Sequence, residues 1–263
     1  MIYEHQQIAI DYITEKFRAM PEVEALFISG SIAHGFNEIY SDVDINIVVS
    51  NEIYDEKVRT MDFTYYEDAS MFYEGGYFDG KFITWDYLDM VAERGNEPTR
   101  FALHDSTIAF DKVGRAKECL ERLSAYSDER AKENSIRFLA QLDGWEWYCG
   151  EALRKGNKYL LDMAVSKLIL FAGRLILLEN RLFFPYHKWF MRVLETAPAK
   201  PEGLMDAING LLADKSAANI KRLYSLVKTY RDWTLGAEYS WTSIFVHDVE
   251  TVWMREDEMI DNL

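Results

Sequence analysis

The sequence predicts an α+β protein in which strands and short helices fill the first half and helices alone fill the second. Three observations carry this. Runs rich in β-branched and aromatic residues, bounded by turn residues, recur at 23–29, 42–50 and 76–83. From about residue 125 onward the apolar residues repeat at helical spacing and no strand signal interrupts them. At 263 residues the chain is long enough for two ordinary cores. The predicted domains are residues 1–124, a sheet with flanking helices, and residues 125–263, an all-α helical bundle.

Taken in order, residues 5–20 form an amphipathic helix with Ile10, Ile13, Phe17 and Met20 on one side, and Pro21 ends it. Strands follow at 23–29 and 42–50, with a weaker one at 62–66, then at 76–83 and 106–110. Short helices are predicted at 31–36, 53–59 and 85–94. The last of these has Thr84 as a good N-cap, Asp86 in its first turn and Trp85, Leu88 and Val91 as its apolar stripe. HDSTIAFDKVGR runs from strand into turn before a helix that starts near Arg115. In the second half one long helix ends at Gly156, and a strongly apolar helix follows it. A shorter helix lies in PYHKWFMRVLETAP, and others cover 201–212, 217–235 and the segment from about 242.

The composition sets limits on function. Hydrophobic residues are 49% of the chain and aromatic ones 14%, enough for packed cores and unlike a disordered tail. The longest apolar run, Leu160–Leu178, is broken by Asp162, Ser166, Lys167 and Arg174, so no membrane span is expected. The first residues lack the basic-then-apolar pattern of a signal peptide. Cys119 and Cys149 follow no metal-binding spacing and read as reduced core residues, which points to a cytoplasmic protein. A net charge of −15 without any basic run makes the chain a poor general binder of RNA or DNA. The same charge suits steering of a cationic small molecule, although solubility alone accounts for it.

The most informative stretch is LFISGSIAHGFNEIYSDVDINIVV. Residues two apart on a strand share a face, so Asp42 and Asp44 project together. Two carboxylates crowded on an otherwise apolar strand repel each other unless a cation sits between them, and oxygen-rich sites of this kind suit Mg²⁺. Gly30-Ser31 follows a strand and opens a short helix, a turn that can aim backbone N–H groups at an anion. A third acid is sought on a neighbouring strand. Asp79, in GGYFDGKFI, lies on such a strand, and Asp86 on the following helix is the alternative. An exposed turn residue before Gly80 is the other reading of Asp79.

Gly-Ser, a short gap and hydrophobic-Asp-hydrophobic-Asp-hydrophobic resembles the signature of the nucleotidyltransferase superfamily typified by DNA polymerase β, over roughly residues 23–110. In layout the chain is most similar to the bacterial antibiotic nucleotidyltransferases of the aminoglycoside and lincosamide type, which place a catalytic sheet before a helical bundle. The resemblance implies a mixed sheet with helices behind it and divalent ions held by Asp42, Asp44 and Asp79. It also implies Gly30 and Ser31 on the β- and γ-phosphates. Gly80 departs from the family's usual apolar residue after the third acid. The implied reaction is transfer of a nucleoside monophosphate, AMP from ATP by expectation, to a hydroxyl of a small molecule. Pyrophosphate leaves, Mg²⁺ is the cofactor, and an aminoglycoside-like antibiotic is the acceptor class, which implies antibiotic resistance. Neither nucleic acid nor membrane is expected as a partner, and a homodimer stays open. Two alternatives remain at this point. One is a non-catalytic nucleotide-binding or regulatory protein that kept the fold, and the other is a nucleotidyltransferase acting on a protein.

The helical half offers further candidates. A triphosphate needs cations besides Mg²⁺. Lys188 follows a Pro-Tyr turn and opens a helix, and Asn180–Trp189 resembles a segment recurring in uncharacterised bacterial nucleotidyltransferases; a surface lysine beside a packed tryptophan is its other reading. Lys167 and Arg174 lie near one helical face, where snorkelling at the edge of the bundle competes with phosphate contact. Glu146, Glu151 and Asp143 are candidates for a general base, with a solvated helix face the favoured reading. His34 could reach a phosphate but is read as a local hydrogen-bonding group of its turn; the tryptophans and tyrosines from Trp145 to Trp253 could stack an adenine or a sugar, with core packing the reading for nearly all.

Overall fold

The computed structural model describes residues 1–255 and 259–261. The chain divides into two compact units, Met1–Ala125 and Tyr126–Leu263.

The first unit begins with α1 (Glu4–Arg18), whose apolar stripe of Ala9, Ile10, Ile13 and Phe17 is buried. β1 (Val23–Ile28), the four-residue α2 (Gly30–Ala33) and β2 (Val43–Val49) follow. Next come α3 (Asn51–Arg59), β3 (Thr64–Asp68), β4 (Tyr77–Ile83), α4 (Trp85–Arg94), α5 (Glu97–His104), β5 (Thr107–Asp111) and α6 (Ala116–Ser124). The five strands form one sheet in the order β3-β4-β2-β1-β5. β2 and β4 run parallel, and the other neighbours are antiparallel. The sheet is therefore mixed, and the protein belongs to the α+β class.

Alternation along the strands sorts the side chains into two cores. Val43, Ile45, Ile47 and Val49 of β2 join Leu26, Ile28 and Phe78 beneath α1. Ala25, Phe27, Val48 and Ile83 point the other way, onto Trp85, Leu88 and Val91 of α4, Leu103 of α5, and Ala116, Cys119 and Leu123 of α6. On that second face the apolar residues cover only one end of β2. Toward the start of the strand the same face carries Asn46 and Asp44.

The helix α5 has no counterpart in the sequence reading. Its start signals are present in Asn96, whose side chain accepts from the Thr99 N–H at 2.9 Å, and in Pro98 in the first turn. Buried Arg100 anchors it by donating to the Leu123 and Ala125 carbonyls, a contact at long sequence separation.

In the second unit α7 (Asp128–Lys155) starts at the Ser127 N-cap and stops at Gly156, which takes φ 60°. α8 (Lys158–Glu179) returns after the Asn157 N-cap. α9 (Tyr186–Thr196), α10 (Leu204–Ala213), α11 (Ala217–Lys228) and α12 (Trp241–Phe245) follow, with a π-turn at Val246–Glu250 and a 3₁₀ turn at Val252–Met254. The helix expected over 217–235 stops at Lys228. Leu235 and Gly236 both have positive φ, and Trp233 is buried by folding back so that its Nε1 donates to the Val227 carbonyl at 2.9 Å. Of the helix expected from about 242, residues 256–258 and 262–263 lie outside the described residues.

A polar hub sits inside this unit. Asp143 is only 9% exposed and accepts from Lys228 Nζ at 2.6 Å, Tyr224 Oη at 3.0 Å and Tyr239 Oη at 2.5 Å. Asp143→Asn removes the charge that three half-buried donors share. We expect it to lower the unfolding free energy by about 2 kcal/mol, read from urea midpoints. Among the described residues no helix is long and apolar enough to cross a membrane.

Candidate active site

The acids converge because of strand register. β2 and β4 pair in parallel with Asp44 directly opposite Asp79, so both carboxylates leave the same face of neighbouring strands. Asp42 lies two residues before Asp44. One carboxylate oxygen from each of Asp42, Asp44 and Asp79 lies within 4.8 Å of the other two. Asp42 and Asp44 are half-buried and Asp79 is exposed. Three like charges this close repel strongly in a partly desolvated setting, and an all-oxygen donor set of this kind fits Mg²⁺. Asp86 is elsewhere: it sits in the first turn of α4 and accepts from Asn51 Nδ2 at 2.6 Å.

Gly30 brings the turn against the acids. It takes φ 62°, and a Cβ there would overlap the Asp44 carboxyl group. The Ser29 N–H donates to the Asp44 carbonyl at 2.9 Å, and Asn46 Nδ2 donates to Ser29 Oγ at 2.5 Å. Ser31 Oγ and Asn46 Oδ1 are buried with no hydrogen-bond partner, which leaves unused polar capacity beside the acids. Gly80 serves close packing: a Cβ there would stand 2.6 Å from the Ile45 carbonyl oxygen, so an apolar side chain does not fit between β4 and β2.

The cavity in front of this face holds about 310 Å³, at the small end for ligand sites. Its walls include Gly30, Asp44 and Asn46, then Asp79, Lys81 and Thr64 from β4 and β3, and Ala102 and Leu103 of α5. Lys81 follows Asp79 on the same face, and burial pulls its pKa down while Asp44 and Asp79 pull it back up. The Tyr77 hydroxyl is hydrogen-bonded to Asp42, which pushes the phenol up to about 12. Tyr77, Lys81, Asn46 and Thr64 were not singled out from the sequence. The period-two rule that pairs Asp42 with Asp44 also pairs Asp79 with Tyr77 and Lys81, and Asp44 with Asn46.

The other sequence candidates are placed differently. Lys188 belongs to the second unit, exposed on α9, with its ammonium 5.2 Å from the centre of the Trp189 ring. Lys167 is ion-paired with Asp261, and Arg174 is fully buried, donating to the Asp261 carbonyl at 2.8 Å. Asp143 is held in its hub, Glu146 is half-buried on α7, and Glu151 is drawn down to about 2 by Arg154 and Lys155. The partner of His34 is not local. Its Nδ1 lies 3.0 Å from Asp105 Oδ2, and its ring stacks on Phe101 with centroids 4.2 Å apart. Cys119 and Cys149 are buried and free.

Residues 96–190 match a family described as "Domain of unknown function (DUF4037)". No curated protein matches the chain. Among solved structures the chain is similar to a nucleotidyltransferase-like protein from Exiguobacterium sibiricum 255-15, at 12% identity and a TM-score of 0.49, over 95% of this chain and 81% of that one.

Proposed function

We propose that the chain is a Mg²⁺-dependent nucleotidyltransferase that moves a nucleoside monophosphate, AMP from ATP, onto a hydroxyl of a small acceptor and releases pyrophosphate. The observation that carries this reading is the convergence of Asp42, Asp44 and Asp79 from adjacent strands beside Gly30. When bound, Mg²⁺ supplies charge neutralisation and in-line alignment of the triphosphate. The residues of the chain do the rest. Asp42 and Asp44 hold the cation side of the site, with Asp42 oriented by the Tyr77 hydroxyl. Asp79 completes the oxygen set from β4. The Ser31 hydroxyl, buried without a partner, is the donor we assign to phosphate oxygens next to the tight Gly30 turn. Lys81 offers a cation on the cavity wall, for the charge of the triphosphate.

An aminoglycoside-like acceptor is the proposed class, and the net charge of −15 favours the approach of such a polycation. The test is incubation of the protein with each of the four triphosphates, Mg²⁺ and a panel of hydroxylated antibiotics, followed by product masses. The expected result is one acceptor carrying an added AMP, with stoichiometric pyrophosphate. An absence of adducts, together with no Mg²⁺-dependent thermal stabilisation by any triphosphate, overturns the reading.

A further inference from the structure

A second cluster of metal-ligating side chains stands apart from the three acids. His34 closes α2, His104 ends α5, and Asp105 follows it. One donor atom from each of the three lies within 4.8 Å of the other two.

The hydrogen-bond chemistry of these rings is informative. His104 Nδ1 is 2.9 Å from the Phe101 carbonyl oxygen. A carbonyl only accepts, so Nδ1 carries the proton and the neutral ring has its lone pair on Nε2. Nε2 faces Asp105 Oδ2 at 3.4 Å, which sets two acceptors against each other. An Nδ1–H bound to a carbonyl is also the contact that orients a metal-ligating imidazole. On the other side His34 Nδ1 is 3.0 Å from the same carboxylate oxygen. The His34 side chain is only 3% exposed, and its Nε2 is buried with no partner. The Asp105 side chain is 50% exposed, so solvent and ions reach the cluster.

These separations suit a cation. Bonds of about 2.0–2.1 Å in a tetrahedron place ligand atoms about 3.3 Å from one another. Two imidazole nitrogens and one carboxylate oxygen suit a borderline cation such as Zn²⁺ rather than Mg²⁺. We propose that His34, His104 and Asp105 form a Zn²⁺-type site with three protein ligands and an open position for water. Its effect is local: it joins the turn after Gly30-Ser31 to the end of α5, and Gly30 and Leu103 from those two segments both wall the cavity. The inference is independent of the reaction proposed above.

The test uses the metal-stripped full chain in excess Mg²⁺, titrated with Co²⁺ and Zn²⁺ against a chromophoric chelator, with circular dichroism as a fold check. The expected result is one equivalent bound more tightly than about 10 µM, with the visible bands of four-coordinate Co²⁺. Asp105→Ala, at an exposed position, and His104→Ala are each expected to weaken binding at least about 10-fold and to remove the bands. Asp42→Asn is expected to leave both unchanged. Stoichiometric binding weaker than about 100 µM, binding that survives Asp105→Ala, or binding lost in Asp42→Asn overturns the proposal.

Discussion

Asp44→Asn is expected to lower turnover by at least about 10³-fold while leaving the fold intact. Asp44 is the central acid. It shares a strand face with Asp42, faces Asp79 across the register and lies against Gly30. The amide keeps the shape of the carboxylate but removes one of the three negative charges that would hold the cation. A loss of about 4 kcal/mol of transition-state stabilisation corresponds to that factor. Thermal stability should stay level or rise, because a mutual repulsion among three carboxylates disappears. Two readouts check this: pyrophosphate release with Mg²⁺, triphosphate and acceptor, and Mg²⁺-dependent thermal stabilisation by ATP. A variant within tenfold of the parent in both measurements removes Asp44 from the metal site.

Gly30→Ala is expected to be nearly as damaging, for a steric reason. The residue has φ 62°, a region that costs a side-chain-bearing residue about 1–2 kcal/mol. The added methyl would also occupy the space of the Asp44 carboxyl group, so either the carboxylate or the end of β1 must move. We expect an activity loss on the order of 10²-fold, since displacements of about 1 Å near reacting groups have that effect. Gly35→Ala is the matched control. Gly35 also has positive φ, at 68°, but nothing lies within 4 Å of its added methyl. That control should lose only the backbone cost, about 1 kcal/mol, and keep Mg²⁺-dependent ATP binding. Equal effects from the two substitutions would mean that backbone strain, rather than contact with Asp44, explains Gly30.

Much of this arrangement was readable from local pattern. Asp42 and Asp44 stand out because strand alternation is a short-range rule, and β4 is legible from its aromatic and β-branched residues. Lys81 and Tyr77 follow from the same rule applied to Asp79, but a lysine and a tyrosine on a strand have common structural uses and draw no attention singly. α5 is not legible in the sequence, because eight residues with Pro98 near the start give a weak periodic signal. Its anchor, Arg100, depends on carbonyls more than twenty residues away. The partnerships of His34 with Asp105, 71 residues on, and of Lys167 with Asp261, 94 residues on, are products of tertiary folding. No spacing rule reaches across such intervals. The end of α11 is not legible because Trp233 looks helical by composition, yet the chain leaves the helix after Lys228 and folds Trp233 back onto the Val227 carbonyl.

The parallel pairing of β2 with β4 has a consequence for how the protein reaches its working form. β4 docks between β3 and β2 after an excursion through α3 and β3, so its alignment is fixed by non-local contacts. A slip of one residue would turn Asp79 toward the apolar side and bring Phe78 or Gly80 into its place. Gly80 resists that slip, since only a residue without a side chain fits against the Ile45 carbonyl. A divalent ion bound as proposed would favour the correct alignment alone, because only then do all three acids meet. If the three acids take up a divalent ion as proposed, that uptake would act as a check on strand register, and a misaligned sheet would be expected to fail to bind it.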